Sequence, residues 1–256
     1  MKKWIQQIIE DFIREYEKST VTKWGSPLVG FADAGAVASK MPEIMKNHGF
    51  PQDALDNPRI IIAYYVPFLK EMAETNNQQG PASKEWARGY EETNVMLGKI
   101  NAHLIAILKE NGYRAAVHPE SGSFDREKLI SNWSHRHVAY MAGLGTFGIN
   151  NMLITEKGCC GRYSTVITDL DVVPDSLKMG ELCMYRADGS CLACVSKCPS
   201  GALTKDGFDR HKCYEVCKQN ADIYTSFGNS YGSEEGVAVG SEVCGKCVAG
   251  MPCAFL

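Results

Sequence analysis

The cysteines of this 256-residue chain lie in its second half, and this distribution constrains the fold more than any other feature. None of the 11 cysteines occurs before Cys159, and nine lie between Cys183 and Cys253. The N-terminal sequence has no uninterrupted apolar stretch and no cleavage site, so we expect neither a secretory signal nor a disulfide framework. The change in composition predicts two domains, residues 1–178 and residues 179–256.

The run CLACVSKCPSGAL matches an iron–sulfur pattern with one cysteine missing. The bacterial pattern is C-x2-C-x2-C-x3-C-P. Cys191, Cys194 and Cys198 occupy its last three cysteine positions, but Asp188 stands at the first. Cys183 lies eight residues before Cys191, across a turn-prone Asp-Gly pair. A looped-out Cys183 can therefore replace the missing ligand.

The segments DRHKCYEVCKQN and SEVCGKCVAGMPCAFL carry the remaining cysteines. In two-cluster ferredoxins the cysteine before proline binds the other cluster, so motifs that are distant in sequence form one unit. We predict two four-iron clusters. Their ligands are Cys183, Cys191, Cys194 and Cys253 for the first, and Cys198, Cys213, Cys244 and Cys247 for the second. Cys217 is left over and could exchange roles with Cys213.

Zinc is the main alternative to iron–sulfur clusters, because two C-x2-C pairs also bind this metal. Such pairs are usually separated by about 15–20 residues, far fewer than separate Cys194 from Cys244. Zinc also gives no reason for the proline after Cys198. One cluster with unused cysteines is a second alternative. Two clusters within tunnelling distance would carry electrons from an external donor to an acceptor in residues 1–180.

Charge and hydropathy argue against several other classes of protein. The net charge of −3 and the pI near 6.1 argue against nonspecific nucleic-acid binding, although a local basic patch could still hold an RNA substrate. No run of 18 apolar residues occurs, so we expect no membrane span. The missing secretion signal predicts a cytoplasmic protein, and oxygen-sensitive clusters would suit an anaerobe.

Residues 1–178 show the pattern of a layered domain. Apolar residues at helical spacing over 4–16 predict an amphipathic helix, and the apolar run 60–66 predicts a strand buried on both faces. The polar stretch 71–85 predicts an exposed loop, residues 94–112 a long helix, and residues 161–170 another strand. Strands that alternate with long helices indicate an α/β or α+β fold.

The segment from Asn132 to Leu170 resembles the epoxyqueuosine reductase family and its relatives, the reductive dehalogenases. AGLGTFGINNMLIT at 142–155, Gly161-Arg162 and TDL at 168–170 carry this resemblance, together with WARGY at 86–90. The cysteine motifs follow in the order found in the family. The resemblance implies a nitroreductase-like α/β catalytic domain, a C-terminal ferredoxin-like domain with two [4Fe-4S] clusters, and cobalamin bound without a lower protein ligand.

The resemblance also implies which residues contact the cofactor. A loop poor in side chains lets the backbone approach a ligand closely, although a tight turn would explain the same glycines. The implied cofactor-binding residues are Gly143, Leu144, Gly145, Thr146, Phe147, Gly148 and Asn150. Thr146 and Asn150 are the candidate polar contacts. Flavin is the alternative cofactor.

Two departures from the family pattern concern the reaction. The queuosine enzymes carry an acidic proton donor upstream of the A-G-L-G segment, where this chain reads SNWSHRHVAY. They also carry an aspartate–tyrosine–histidine run where this chain reads YEETN. His135 and His137 are therefore the candidate proton donors, and Arg136 could orient an anionic substrate. Alternatively, all three brace the glycine loop.

These features predict an oxidoreductase that resembles epoxyqueuosine reductase. Electrons from a ferredoxin- or flavodoxin-type donor would pass through two [4Fe-4S] clusters to cobalamin or a similar cofactor, which would reduce a small organic substrate. The alternative is an electron-transfer or reductive-activation protein that serves a partner protein's corrinoid or metal site. We interpret Cys159 and Cys160 as small buried residues, and His48 and His118 as structural or surface residues.

Overall fold

The computed structural model describes residues 1–230, 232 and 238–256. Its helices are α1 (Lys2–Tyr16), α2 (Ala34–Ile44), α3 (Lys70–Thr75), α4 (Lys84–Glu110), α5 (His135–Met141), α6 (Met184–Asp188), α7 (Ala193–Ser196) and α8 (Arg210–Ile223). Its strands are β1 (Leu28–Asp33), β2 (Ile60–Pro67), β3 (Ala115–Ala116), β4 (Gly145–Phe147), β5 (Leu153–Thr155) and β6 (Gly161–Thr168). None of the helices in these described ranges combines the length and the apolar composition that a membrane span requires.

A four-stranded antiparallel sheet in the order β1–β2–β6–β3 forms the centre of the fold. β2 pairs along its whole length with β6, from Ile60↔Thr168 to Pro67↔Gly161. Every residue of β2 is buried, which confirms the predicted strand with two covered faces. β4 and β5 pair in a separate two-stranded sheet.

Helices cover both faces of this sheet. Successive side chains of a strand point to opposite sides, so the continuous apolar run of β2 places apolar side chains on both faces. Ile60, Ile62 and Tyr64 of β2 pack in one core with side chains of α1 and α4. Ile61 and Tyr65 pack in a second core with side chains of α2 and α5. The chain therefore has a mixed α/β fold, as predicted.

The first core also contains apolar side chains from beyond residue 178. Val243, Val248 and Ala254 are buried in it together with residues of α1 and α4. The cysteine-rich part of the chain therefore shares buried apolar surface with the part that precedes it. The division into residues 1–178 and 179–256 stays a prediction.

The long helix α4 begins ten residues earlier than apolar periodicity predicted. Its first turn is capped by Ser83, whose side chain accepts a hydrogen bond from the Trp86 backbone nitrogen at 3.1 Å. α3 also occupies the start of the stretch predicted as an exposed loop. At its other end α4 stops where Gly112, with φ of +84°, takes the left-handed conformation that glycine favours.

A buried polar network fixes α4 against the sheet. The Tyr64 hydroxyl donates a hydrogen bond to Asn101 Oδ1 at 2.8 Å, and Asn101 Nδ2 donates one to Ser164 Oγ at 2.9 Å. All three residues are buried. Polar groups in such a position are costly when they lose their partners, so the network favours one position of α4.

We predict that Asn101→Ala lowers the free energy of unfolding by about 2–3 kcal/mol, because Tyr64 and Ser164 each lose a buried partner. Lys109→Ala, on the exposed side of the same helix, should change it by less than about 0.5 kcal/mol. Denaturant unfolding of both variants measures the difference. Equal losses in the two variants would show that the network does not hold α4.

Candidate functional site

The four cysteines of the first predicted cluster line one cavity. This cavity is partly open to solvent, and its lining includes Cys183, Cys191, Cys194 and Cys253. The rest of its lining is mostly apolar and consists of Ile149, Asn150, Ile154, Met184, Ala193, Met251 and Pro252. Burial raises the pKa of the Cys194 thiol to about 11, and the neighbouring sulfurs of Cys253, Cys183 and Cys191 also raise it. The Cys194 sulfur therefore lies near the other three sulfurs of the set.

Short helices place these sulfurs around the cavity. Cys183 is the N-cap residue of α6, while Cys191 precedes α7 and Cys194 lies within it. Asp188, at the position of the missing motif cysteine, is exposed, and its Oδ1 accepts a hydrogen bond from the Ser190 backbone nitrogen at 2.9 Å. The Asp188 carboxylate thus forms a hydrogen bond within its own turn. Cys183 lines the cavity, and Asp188 is not part of its lining.

The cysteines of the second predicted cluster also lie together. Burial raises the pKa of the Cys247 thiol, and the sulfurs of Cys244, Cys213 and Cys198 raise it further. Cys194 of the first set acts on Cys247 as well. The two sets of sulfurs are therefore adjacent.

The spare cysteine, Cys217, lies beside the second set. It follows Cys213 by one turn of α8, and its thiol donates a hydrogen bond that lowers the pKa of Cys213 to about 7. The same contact and burial raise the pKa of Cys217 itself. The two thiols thus share one hydrogen bond beside the second set.

In the described part of the chain, no group of three or more His, Cys, Asp or Glu side chains is placed to hold a single metal ion. A four-iron cluster is bound at its corners, so its cysteines are spread more widely than those around one zinc ion.

The glycine loop is tied to the segment that carries Cys183. The Thr146 hydroxyl donates a hydrogen bond to Glu181 Oε1 at 3.1 Å and accepts one from the Leu182 backbone nitrogen at 3.0 Å. The Cys183 backbone nitrogen donates to the same carboxylate oxygen at 3.2 Å. Thr146, predicted as a cofactor contact, thus fixes residues 181–183, which include the first cysteine of the set.

Asn150, the other predicted polar contact, is tied to the second set. Its Nδ2 donates a hydrogen bond to the Cys247 carbonyl oxygen at 3.1 Å, and its Oδ1 accepts one from the Met152 backbone nitrogen at 3.2 Å. Asn150 also lines the first cavity. It therefore lies between the two sets of sulfurs.

The turn from Cys244 to Cys247 packs against residues 76–86. Asn76 Nδ2 donates a hydrogen bond to the Cys244 carbonyl oxygen at 2.9 Å. Gly245 has φ of +70°, and a side chain there would overlap the indole of Trp86.

The buried Lys246 also ties this turn to the N-terminal part of the chain. Its ammonium donates hydrogen bonds to the carbonyl oxygens of Asn76 and, at 2.8 Å, Gln78, and burial lowers its pKa. This turn is held in one conformation by the N-terminal part of the chain.

The last cysteine is held by the vicinal pair Cys159-Cys160. The Cys159 backbone nitrogen donates to the Cys253 carbonyl oxygen at 2.9 Å, and that of Cys160 donates to the Ala254 carbonyl oxygen at 3.1 Å. Both cysteines are fully buried, as predicted. Sequence reasoning placed the pair away from the cluster motifs, whereas the Sγ atoms of Cys159 and Cys253 lie 3.8 Å apart.

The glycines of the loop are required by packing of the chain on itself. Gly143 has φ of +71°, and a side chain there would overlap the Ser176 carbonyl oxygen. At Gly145 the obstacle is the Ile154 carbonyl oxygen, across the β4–β5 pair. These contacts agree with the alternative of a tight turn. Leu144 and Phe147 keep partly exposed side chains on the same loop.

Burial keeps the two candidate proton donors neutral. It is the main cause that lowers the pKa of His135 and of His137 to about 4. The His135 ring lies 3.1 Å from Ser121 Oγ through Nε2 and 2.9 Å from Thr165 Oγ1 through Nδ1, and His137 Nδ1 lies 2.8 Å from Ser134 Oγ. Both imidazoles are hydrogen-bonded within the chain.

Arg136, between these histidines, is engaged with the loop after the glycines. Its guanidinium donates a hydrogen bond to the Asn151 carbonyl oxygen and lies 3.3 Å from Met152 Sδ. This contact agrees with the bracing role that the sequence left open.

Two histidines that the sequence predicted to be structural or surface residues, His48 and His118, lie close to His135 and are buried. The rings of His118 and His48 pack on Trp133, with centroids at 4.2 and 4.8 Å. Trp133 Nε1 donates to Thr165 Oγ1, the oxygen that also contacts His135. His48 Nε2 accepts a hydrogen bond from the Ser134 backbone nitrogen at 3.0 Å. These contacts join residues that are far apart in sequence, so no local sequence pattern predicts them.

No protein-family model matches the chain. Tetrachloroethene reductive dehalogenase of Desulfitobacterium hafniense is 34% identical over 122 residues, which cover 45% of this chain and 20% of that protein. Epoxyqueuosine reductase of Listeria monocytogenes is 36% identical over 88 residues, 34% of this chain and 22% of that protein. The matches thus span about a fifth of the length of these curated relatives.

Solved structures resemble the chain over a longer range. Epoxyqueuosine reductase with an epoxyqueuosine-modified tRNA-Tyr stem loop has a TM-score of 0.54 at 20% identity, covering 98% of this chain and 66% of that one. The enzyme from Bacillus subtilis gives 0.54 at 18% over the same shares. A reductive dehalogenase gives 0.53 at 15%, covering 78% and 28%.

These structural similarities, at such low identities, show a shared fold. The sequence matches add relatedness over the aligned residues. The chain is therefore similar in sequence to reductive dehalogenases and epoxyqueuosine reductases over the aligned residues, and it shares the fold of their solved structures.

Proposed function

We propose that the protein is an iron–sulfur reductase that passes low-potential electrons through two [4Fe-4S] clusters. The observation that carries the proposal is the convergence of Cys183, Cys191, Cys194 and Cys253 on one cavity. These residues come from separate segments of the chain, and α6, α7 and the C-terminal residues place them there. Four thiols brought together in this way are typical of a cluster site.

The donor set suits a cluster on chemical grounds. Thiolates bind iron, and thiolates packed together repel one another unless a cationic centre compensates them. The cavity walls are otherwise mostly apolar, which limits solvent access to a bound cluster. The residues that would hold the second cluster are Cys198, Cys213, Cys244 and Cys247.

The adjacency of the two sets supports an electron path between them. Cys194 and Cys247 belong to different sets and influence each other electrostatically. Asn150 lies between the sets and contacts both. The relatives are named reductases, and one structural neighbour is described by B12-dependent dehalogenation. For this chain, reductase activity on a small organic substrate is our proposal.

Cobalamin is the proposed acceptor, beside the glycine loop. The groups available to contact it are the partly exposed side chains of Leu144 and Phe147 and the neighbouring backbone. Thr146 and Asn150 do not fit this role, because their polar groups hold the cysteine segments. When bound, cobalamin would supply a strongly reducing cobalt centre. Flavin is the alternative acceptor in the same position.

A second candidate function is electron transfer to the corrinoid or metal site of a partner protein. The engagement of Thr146 and Asn150 favours this function, since the loop serves the cysteine segments rather than a cofactor. The neutral state of His135 and His137 favours it as well, because at pH 7 neither imidazole carries an extra proton to give. The three residues 135–137 are retained as candidate site residues by position alone.

Anaerobic purification followed by cofactor titration tests the proposal. We expect about eight iron and eight sulfide ions per chain, as two four-iron clusters require. Hydroxocobalamin should then bind and change its visible spectrum, with flavin as the parallel titration. Full clusters without binding of either cofactor would favour the electron-transfer function. A colourless protein that contains only zinc would contradict both.

The ligand assignment predicts a contrast between Cys183 and Asp188. Cys183→Ala should lower the iron content from about eight to about four ions per chain, because one cluster loses a ligand. Asp188→Ala should leave it unchanged, since this carboxylate is exposed and bonded to Ser190. Iron and sulfide assays measure both, with Cys160→Ala as a buried cysteine control. The reverse pattern would make Asp188 the ligand.

Burial of His135 predicts a loss of stability in acid. Because its pKa is about 4 in the folded chain and near 6.5 when unfolded, the unfolded state takes up the extra proton first. The contribution of neutral His135 to the free energy of unfolding is therefore complete above pH 6.5, and it declines as the pH falls toward 4. His135→Gln should remove on the order of 1–3 kcal/mol of this decline.

Unfolding free energies measured at pH 7 and pH 4.5 give the size of that decline. His211→Gln, which changes an exposed histidine, is the matched control and should keep it. An identical decline in His135→Gln and in the unaltered chain would show that His135 is not held neutral.

A further inference from the structure

We propose that Cys159 is a positioning residue that donates an S–H···S hydrogen bond to Cys253 and thereby raises the reduction potential of the first cluster. This inference rests on the proposed function, since it requires a cluster on Cys253. The geometric basis is the distance of 3.8 Å between the two Sγ atoms, which is within hydrogen-bonding range for sulfur.

The backbone fixes this contact. Cys159 donates from its nitrogen to the Cys253 carbonyl oxygen at 2.9 Å, and Cys160 does the same to Ala254 at 3.1 Å. Gly158 has φ of +84°, and a side chain there would overlap the Ala254 carbonyl oxygen. The two segments thus run in close contact, and the sulfurs have little freedom to separate.

The surroundings determine which sulfur donates. Cys159 is fully buried, which favours a neutral thiol that keeps its proton. A cysteine bound to a cluster is a thiolate without a proton, so in the contact between the two sulfurs only Cys159 could donate. Cys253 lines the cavity with the other three cysteines and is the metal-binding sulfur of the pair in our assignment.

A hydrogen-bond donor to a cluster ligand changes the reduction potential of the cluster in a known direction. The reduced cluster carries one more negative charge than the oxidised cluster, so a hydrogen bond to its thiolate stabilises the reduced state more. Cys159 should therefore make the first cluster easier to reduce. The second cluster does not contain Cys253 and serves as an internal reference.

The test measures both reduction potentials by redox titration followed by EPR. In Cys159→Ala, one of the two potentials should shift to a more negative value, and the other should stay in place. Cys159→Ser keeps a hydrogen-bond donor, so its potential should lie close to that of the unaltered protein. Cys160→Ala removes the neighbouring buried thiol and should shift neither potential. Iron should remain near eight ions per chain in all three.

Cys159→Val provides a second variant, because it fills the volume of the thiol without a donor. It should show the same negative shift as Cys159→Ala. Unchanged potentials in both variants, with full iron content, would overturn the hydrogen bond and leave the proposed function intact. Loss of about four irons in both would also overturn it, because Cys159 would then be a ligand. An unaltered protein without clusters would instead reject the proposed function.

Discussion

The attachment of the cysteine-rich segment to the N-terminal part of the chain is the constraint on which the site depends. Cys244, Cys247 and Cys253 do not form their own scaffold. Their carbonyl oxygens accept hydrogen bonds from Asn76, from Asn150 and from the Cys159 nitrogen, respectively. These donors lie on different elements around the sheet and α4, so the position of each sulfur follows from the fold of residues 1–178.

The glycine loop gains a different meaning from these contacts. In the sequence its glycines suggested close approach to a cofactor, yet in the structure they admit the carbonyl oxygens of Ser176 and Ile154. Its polar side chains, Thr146 and Asn150, each reach one set of cysteines. The loop therefore contacts the segments that carry both predicted cluster sites.

Much of the fold could be predicted from local pattern. The buried strand β2 and the stop of α4 at Gly112 follow from apolar runs and glycine punctuation, which depend on neighbouring residues alone. The start of α4 was missed because several of the residues buried in its first turns are small or polar, among them Gly89, Glu91 and Thr93, so apolar periodicity does not mark them. The grouping of cysteines was accessible because metal-binding spacing is a short-range property.

The remaining parts of the site depend on contacts between residues distant in sequence. The approach of Cys159 to Cys253 spans 94 positions, and the Ser134–His48 hydrogen bond spans 86. Neither leaves a periodic signal, so the sequence indicated buried cysteines and isolated histidines. The lowered pKa of His135 was likewise hidden, because desolvation in the folded chain is its main cause, and Arg162, His48 and His118, which lower it further, are distant in sequence.

The central claim is that the fold brings two complete sets of four thiolates into adjacency. EPR spectroscopy of the anaerobically purified and fully reduced protein tests it most directly, since two neighbouring paramagnetic clusters interact. The account predicts a broadened, split spectrum that integrates to about two spins per chain, as two one-electron-reduced four-iron clusters require. A sharp signal from a single isolated cluster, or no signal from a protein that holds zinc, would contradict it.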